Sequence, residues 1–268
     1  MHNFKYHRAD DVADAATKLK SGDDPKLLAG GMTLLPALKN RLAQPSDLID
    51  LDNVSALKGI AVEGKEVVIK AMTPHAVVAG SADVQKAIPA LALLAGGIGD
   101  PAVRHRGTIG GSVANSDPAA DYPAGVLGLD AVVETNSRKI SADDYFKGLF
   151  ETALNPGEII TAVRFKVPER AHYMKFRHPA SGYAVVGVMV VQYGSKVRVA
   201  VTGAGPCAFR VKAMEEALEK NFGPASVAGI KIPATGLLGD IHCSAEYRAH
   251  LVNVYAWRCV EALVKKLL

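Results

Sequence analysis

The chain has 268 residues, 49% of them hydrophobic and 22% charged, which is enough apolar material for one large domain or two or three small ones. A formal net charge of +4, mixed in sign along the chain, lacks the dense Lys/Arg tract of a nucleic-acid arm. Three cysteines with no C-x-x-C pair argue against a disulfide framework and against a four-cysteine zinc or iron–sulfur site.

In chain order, NFKYHR alternates and predicts a strand. ADDVADAATKLKS places Val12, Ala15, Ala16 and Leu19 at helical spacing behind Asp10 as N-cap. PKLLAGG predicts a strand ending in a glycine turn. MTLLPALKNRLAQ carries Leu34, Leu35, Leu38 and Leu42 on one helical face, with Pro36 in the first turn, and SDLIDL predicts a third strand. The opening stretch, to about residue 55, therefore predicts β-α-β-α-β, with boundaries good to a few residues. GIAVEGKEVVIKA then predicts two strands around a Glu-Gly-Lys turn. TPHAVVAGSADVQKAIPALALLAGGIG predicts short helices broken at Pro and Gly, starting from Thr73 as N-cap. After a glycine-rich stretch, PAGVLGLDAVVET and EIITAVRFKVP read as strand-rich. YAVVGVMVVQYG and KVRVAVTGAG predict a hairpin around Gly194 and Ser195. RVKAMEEALEKNF and AEYRAHLVNVYAWRCVEALVKKLL predict amphipathic helices, the second with Leu251, Val254, Tyr255, Cys259 and Leu263 on one face. The fold class expected is α+β. The longest apolar runs, LALLAG and AVVGVMVV, are too short to span a bilayer, and the first residues have no signal-peptide core. A protein that is not integral to a membrane, does not bind nucleic acid and resides in the cytoplasm is the expectation.

Two glycine clusters carry the chemistry. LLAGGMTLL combines a strand, a Gly-Gly turn and a helix start, which presents free backbone N–H groups at the positive end of a helix dipole. Thr33 can add a hydroxyl; a tight βα turn without ligand is the alternative. GTIGGS, from Gly107 to Ser112, matches neither the P-loop nor G-x-G-x-x-G. Asn115, Ser116, Asp117 and Asp121 follow closely, and a buried carboxylate there suits ribose hydroxyls. Two clusters, each able to hold one phosphate, suggest a pyrophosphate gripped from two sides and hence a dinucleotide. TGAGPCA matches G-x-G-x-x-A, but Pro206 removes a donor and no strand ending in an acidic residue follows, so a structural turn is expected. RHR, Arg104 to Arg106, reads as a solvated rim, with a position near a phosphate as the alternative. No His, Cys or carboxylate set has metal-ligand spacing, so no metal is expected.

Taken together and in order, LLAGGMTLLPALKNRLAQPSDLIDL, GTIGGSVANSDPAADYPAGVLGLDA, NPGEIITAVRFKVP, YMKFRHPASGYAVVGVMV and YRAHLVNVYAWRCVEAL resemble the FAD-binding medium subunits of molybdenum hydroxylases. The pattern is nearest that of the carbon monoxide dehydrogenase type within the xanthine dehydrogenase family. The resemblance implies an FAD-binding domain over 1–175, with subdomains of about 1–55 and 56–175 enclosing FAD. A small C-terminal α+β domain over 176–268, with an antiparallel sheet and helices, would follow. It implies that the backbone of Leu27, Leu28, Ala29, Gly30, Gly31, Met32, Thr33 and Leu34, and of Thr108, Ile109, Gly110, Gly111 and Ser112, holds the FAD pyrophosphate. Asp121 would bind on the adenosine side and Ile160 would line the adenine or ribose pocket. Lys175 would lie near the flavin ring and Tyr183 beside the isoalloxazine, which makes them the two candidate catalytic residues; a half-buried core tyrosine is the alternative for Tyr183. Met32 stands where His or Asn is common, and Ser112 where Asn is frequent, which bears on flavin tuning. By the same resemblance, a small [2Fe–2S] subunit and a large molybdopterin subunit complete a heterotrimer that usually dimerises. Electrons would leave substrate at molybdenum, cross the clusters, reach FAD and pass to an external acceptor. Two other readings stay open: a stand-alone flavoprotein of the vanillyl-alcohol oxidase type, and a non-enzymatic nucleotide-binding module.

Overall fold

Residues 1–265 are described in the computed structural model, in which strands Lys5–Arg8, Asp47–Asp50 and Pro25–Leu28 lie side by side in that order, all parallel. Helices Val12–Leu19 and Leu34–Lys39 make the crossovers, so the predicted β-α-β-α-β order is present. The N-cap of the first helix is Asp11 rather than Asp10: its carboxylate accepts the Asp14 N–H at 2.8 Å, while the Asp10 N–H donates back to Asp14 at 3.0 Å. The second helix is shorter than the leucine spacing suggested. Arg41 turns left-handed at φ +58, and the Leu42 N–H closes on the Ala37 carbonyl at 2.9 Å. That is a Schellman stop, and it leaves Leu42 80% exposed instead of on the buried face.

The middle of the chain builds an antiparallel sheet in the order Ile60–Glu63, Glu66–Lys70, Ile160–Lys166, Val132–Thr135, Lys139–Ser141. Helices His75–Gly80, Ala82–Ala87 and Pro89–Gly96 follow its second strand. Thr73 is not their N-cap; Pro74 holds that position, and the Thr73 hydroxyl donates to the Gly59 carbonyl at 3.0 Å. The glycine-rich stretch is a helix, Ile109–Asn115. PAGVLG, expected in a strand, is also helical, within Tyr122–Gly128. Local propensity is overridden there because Gly125 and Gly128 let the helix sit against Leu94 and Met189: a Cβ at either glycine would come within 2.9 and 2.7 Å of those side chains.

Strands Arg170–Arg177, Ala184–Tyr193, Lys196–Thr202 and Phe209–Arg210 form a second antiparallel sheet. Residue 175 lies inside the first of them. Tyr173, Met189, Val191 and Ala200 join the core of the middle region. Val186, Val188 and Val190 pack with Val252, Ala256, Cys259 and Val260 of helix Ala245–Lys265. Residues 266–268, which the sequence assigned to the end of that helix, lie outside the described residues. The TGAGPCA turn is a joint between the halves. Gly203 takes φ +83, its N–H donates to the Pro118 carbonyl at 2.7 Å, and a Cβ there would meet the Ala184 carbonyl oxygen at 2.6 Å. The Thr202 hydroxyl bridges the carbonyls of Pro118 and Ala120 at 2.9 and 2.6 Å. The loop leading to Asp121 is thus bolted to the C-terminal sheet.

Candidate functional site

The first glycine cluster follows strand Pro25–Leu28, whose Leu27 and Leu28 pair with Ile49 and Asp50. A Cβ at Gly30 would collide with the Arg106 carbonyl and lie 2.8 Å from Gly107 Cα, so the two clusters touch backbone to backbone. Gly31 takes φ +74, which turns the chain outward into the exposed Met32 and Thr33. Among the described residues, none accepts a hydrogen bond from the backbone N–H of Gly30, Gly31, Met32, Thr33 or Leu34; the next N–H, of Leu35, closes on the Gly31 carbonyl at 3.0 Å. Thr33 makes no side-chain cap bond, so its hydroxyl is not committed to the helix. Consecutive unpaired N–H groups at a glycine turn make a nest for an anion.

The second cluster differs from the sequence expectation. Thr108 is the N-cap of helix Ile109–Asn115, and its hydroxyl accepts the Gly111 N–H at 3.2 Å. The Ile109 and Gly110 N–H groups donate to the carbonyls of Thr73 and Ala71 at 3.1 and 2.8 Å, and Ser112 N–H to Thr108 at 3.0 Å. Gly110 is small because the helix seats on Ala71: a Cβ would meet that residue's Cβ at 2.6 Å. Gly111 instead faces Ala29, whose Cβ is 3.6 Å from where its own would be. The second cluster therefore supplies room beside the first and one donor without an acceptor among the described residues, the Thr108 N–H, while the run of free donors belongs to the first. Ile109 is fully buried, and Ile160, at the start of its strand, is 5% exposed. Both belong to the core behind the clusters.

A cleft of about 280 Å³ opens at this junction, lined by Ala29, Gly30 and Thr108 with Lys58, His105 and Arg106. Lys58 is paired with Asp52 at 2.9 Å. His105 and Arg106 are exposed, as a rim requires, but Arg104 turns inward and donates to the Ile98 carbonyl at 2.8 Å. The cleft thus brings backbone N–H groups together with the exposed Arg106, while Asp52, which also lines it, takes up the charge of Lys58.

Asp121, Lys175 and Tyr183 form a second locus. Asp121 is 3% exposed. Its carboxylate accepts the Tyr173 hydroxyl at 2.5 Å and lies 2.9 Å from Lys175 Nζ, which also donates to the carbonyls of Gly97 and Gly182 at 3.0 and 2.9 Å. The resemblance placed Asp121 and Lys175 at different ends of a dinucleotide; the ion pair puts them at one place. Burial pushes the Asp121 carboxyl above the usual carboxylate range, opposed chiefly by the Lys175 charge and the Tyr173 hydrogen bond. Tyr183 is 43% exposed, and burial together with the charges of Asp117 and Asp121 pushes its phenol up. Tyr173 was missed from sequence, although the alternation of YMKFR puts it on the face of Lys175. The glycines that accept from Lys175 carry no such signal.

A family model described as the FAD binding domain in molybdopterin dehydrogenase matches residues 2–169. The carbon monoxide dehydrogenase medium chain of Afipia carboxidovorans is 36% identical, covering 97% of this chain and 96% of that protein. The nicotine 6-hydroxylase medium subunit of Paenarthrobacter nicotinovorans is 38% identical, covering 93% of each. The solved Cu,Mo-CO dehydrogenase contains a chain that superposes with a TM-score of 0.87 at 34% identity, covering 97% of this chain and 98% of that one.

Proposed function

The chain belongs to the family of FAD-binding domains in molybdopterin dehydrogenase, and on that premise we propose that it is the electron-transfer subunit of a molybdenum-containing hydroxylase or dehydrogenase. Its partners in this reading are an iron–sulfur subunit, from which electrons arrive, and a molybdopterin subunit that selects the organic substrate. An external acceptor takes the electrons onward. The observation that carries the reading is the contact between the glycine clusters, Gly30 against Arg106 and Gly107 and Ala29 against Gly111, from which the unpaired N–H groups of Gly30 to Leu34 follow. FAD, when bound, supplies one- and two-electron redox chemistry. The chain's own residues bind and orient it. The Gly30–Leu34 backbone donates to the diphosphate, while Gly111 leaves space for it. Asp121 accepts from a hydroxyl of the cofactor, and Ile160 backs the apolar wall. Lys175 neutralises Asp121, and the half-exposed Tyr183 ring covers the locus on its solvent side.

The division of labour follows from what the chain carries. Three cysteines cannot supply the four thiolates of a [2Fe–2S] cluster. Among the described residues, no helix is long and apolar enough to cross a membrane. The isolated chain should carry flavin that dithionite reduces, yet be inert toward carbon monoxide, aldehydes and purines. Mixed with matching iron–sulfur and molybdopterin subunits, its flavin absorbance should bleach when the complex's substrate is added, and omission of the iron–sulfur subunit should stop this. Direct bleaching by an organic substrate with no partner present would overturn the reading in favour of a self-sufficient flavoenzyme.

A further inference from the structure

Tyr173 has no part in the site as the family resemblance draws it. Yet it is 5% exposed and its hydroxyl donates to Asp121 at 2.5 Å. Tyr173 and Lys175 are two residues apart on strand Arg170–Arg177, so both side chains leave the sheet on the same face and converge on one carboxylate. The neighbouring strand is shaped around this contact. Gly187 pairs with Lys175, and a Cβ there would collide with the Tyr173 hydroxyl and lie 3.0 Å from the ring carbon that bears it. A glycine inside a ten-residue strand weakens that strand, so its presence calls for a close approach, and the phenol is what approaches.

We infer that Tyr173 is a positioning residue for Asp121: its hydroxyl, given space by Gly187, donates to the buried carboxylate and orients it to accept from a hydroxyl of FAD. The inference rests on the reading of this locus as part of the FAD site. The groups that face Asp121 are Lys175, Tyr173 and Arg177 from the strand, Tyr183 from the turn after it, and Tyr122 beside it on its own helix. Asp117 faces Tyr183, and Cys259 faces Tyr173 from the C-terminal helix. Arg177 acts on Asp121 through its field, and its Nη2 donates to the Gly99 carbonyl at 2.7 Å. Lys175 and Tyr173 are thus the two side chains that hydrogen-bond the carboxylate. Removing the phenol hydroxyl takes away one of those donors and makes the carboxyl easier to protonate. A protonated Asp121 accepts less well, so affinity for FAD should then fall at a higher pH than in the parent chain.

The test is the FAD dissociation constant of the full chain, followed by flavin fluorescence from about pH 5 to 9, for the parent, Tyr173→Phe, Asp121→Asn and the double variant. Tyr173→Phe should weaken FAD on the order of tenfold at the acid end, the loss of a hydrogen bond to a charged group, and by less at the alkaline end. Its acid limb should move to higher pH. Asp121→Asn should bind more weakly with a flat profile, and adding Tyr173→Phe to it should change little. Gly187→Ala, which crowds the hydroxyl without removing any donor, should shift the acid limb in the same direction, and it carries the comparison if circular dichroism shows Tyr173→Phe to be unfolded. Weakening by one factor at every pH, or by the same factor in the Asp121→Asn background, would reduce Tyr173 to packing and overturn the inference. A parent chain that takes up no FAD would overturn the site reading itself, and the parent titration shows this before any variant is compared.

Discussion

Gly110 and Gly111 are neighbours with different duties. Gly110 lets a helix seat on Ala71, and its N–H is bonded to that residue's carbonyl at 2.8 Å. Gly111 faces the first cluster, where a Cβ would stand in ordinary contact with Ala29 at 3.6 Å and tight against the Thr108 hydroxyl at 3.0 Å. Substitution at the two should therefore separate folding from binding. Gly110→Ala should destabilise the chain by about 1–3 kcal/mol through overpacking, read as a lower urea midpoint. Gly111→Val should leave most of the far-UV circular dichroism intact but release FAD on gel filtration. Equal loss of flavin and of stability in both would mean that neither glycine faces the cofactor. From sequence the two were indistinguishable, because both lie in one GTIGGS run and glycine's low helix propensity hid the helix that sorts them.

At the scale of elements, the loop into strand Ile160–Lys166 is anchored by Glu158. Its carboxylate takes Arg138 Nε at 2.9 Å, the Thr135 and Ser137 hydroxyls at 2.7 and 3.0 Å, and the Asn155 N–H at 2.8 Å. These donors, Arg138 foremost, hold its carboxyl down at about 2 against an ordinary 4.5. A depressed carboxyl contributes stability that is present above its unfolded value and lost as pH falls through its folded one. Glu158 should thus contribute roughly 1–3 kcal/mol above pH 4.5 that fades toward pH 2, a range set low because Arg138 is 41% exposed. Glu158→Gln should flatten that acid limb in urea unfolding, and an unchanged limb would remove Glu158 as its source. Strands were the legible elements, since NFKYHR, EVVIK and the hairpin around Gly194 show period two or paired turn residues. The helix Tyr122–Gly128 was not legible, because its glycines make sense only beside Leu94 and Met189, which are remote in sequence. Leu42 misled for a related reason: its spacing is helical, but an arginine in the left-handed region stops the helix before it.

For the whole molecule, the proposed cofactor site draws on three regions. The parallel sheet supplies the Gly30–Leu34 donors, the middle region supplies Gly111 and Asp121, and the C-terminal sheet supplies Tyr173, Lys175 and the bond from Thr202 that fixes the Asp121 loop. The glycine clusters and Asp121 could be named from their motifs, whereas Lys175 and Tyr183 were named only through the family resemblance. That Asp121 and Lys175 meet, and that most N–H groups of the second cluster are already bonded, depended on backbone partners far along the chain. The central claim is that this assembly grips a diphosphate and so holds a dinucleotide. It is tested most directly by titrating the flavin-free chain with FAD and with FMN, followed by flavin fluorescence. One FAD per chain should bind, with FMN weaker by on the order of a hundredfold or more, since it forfeits the second phosphate and the adenosine half. FMN binding as tightly as FAD would contradict it.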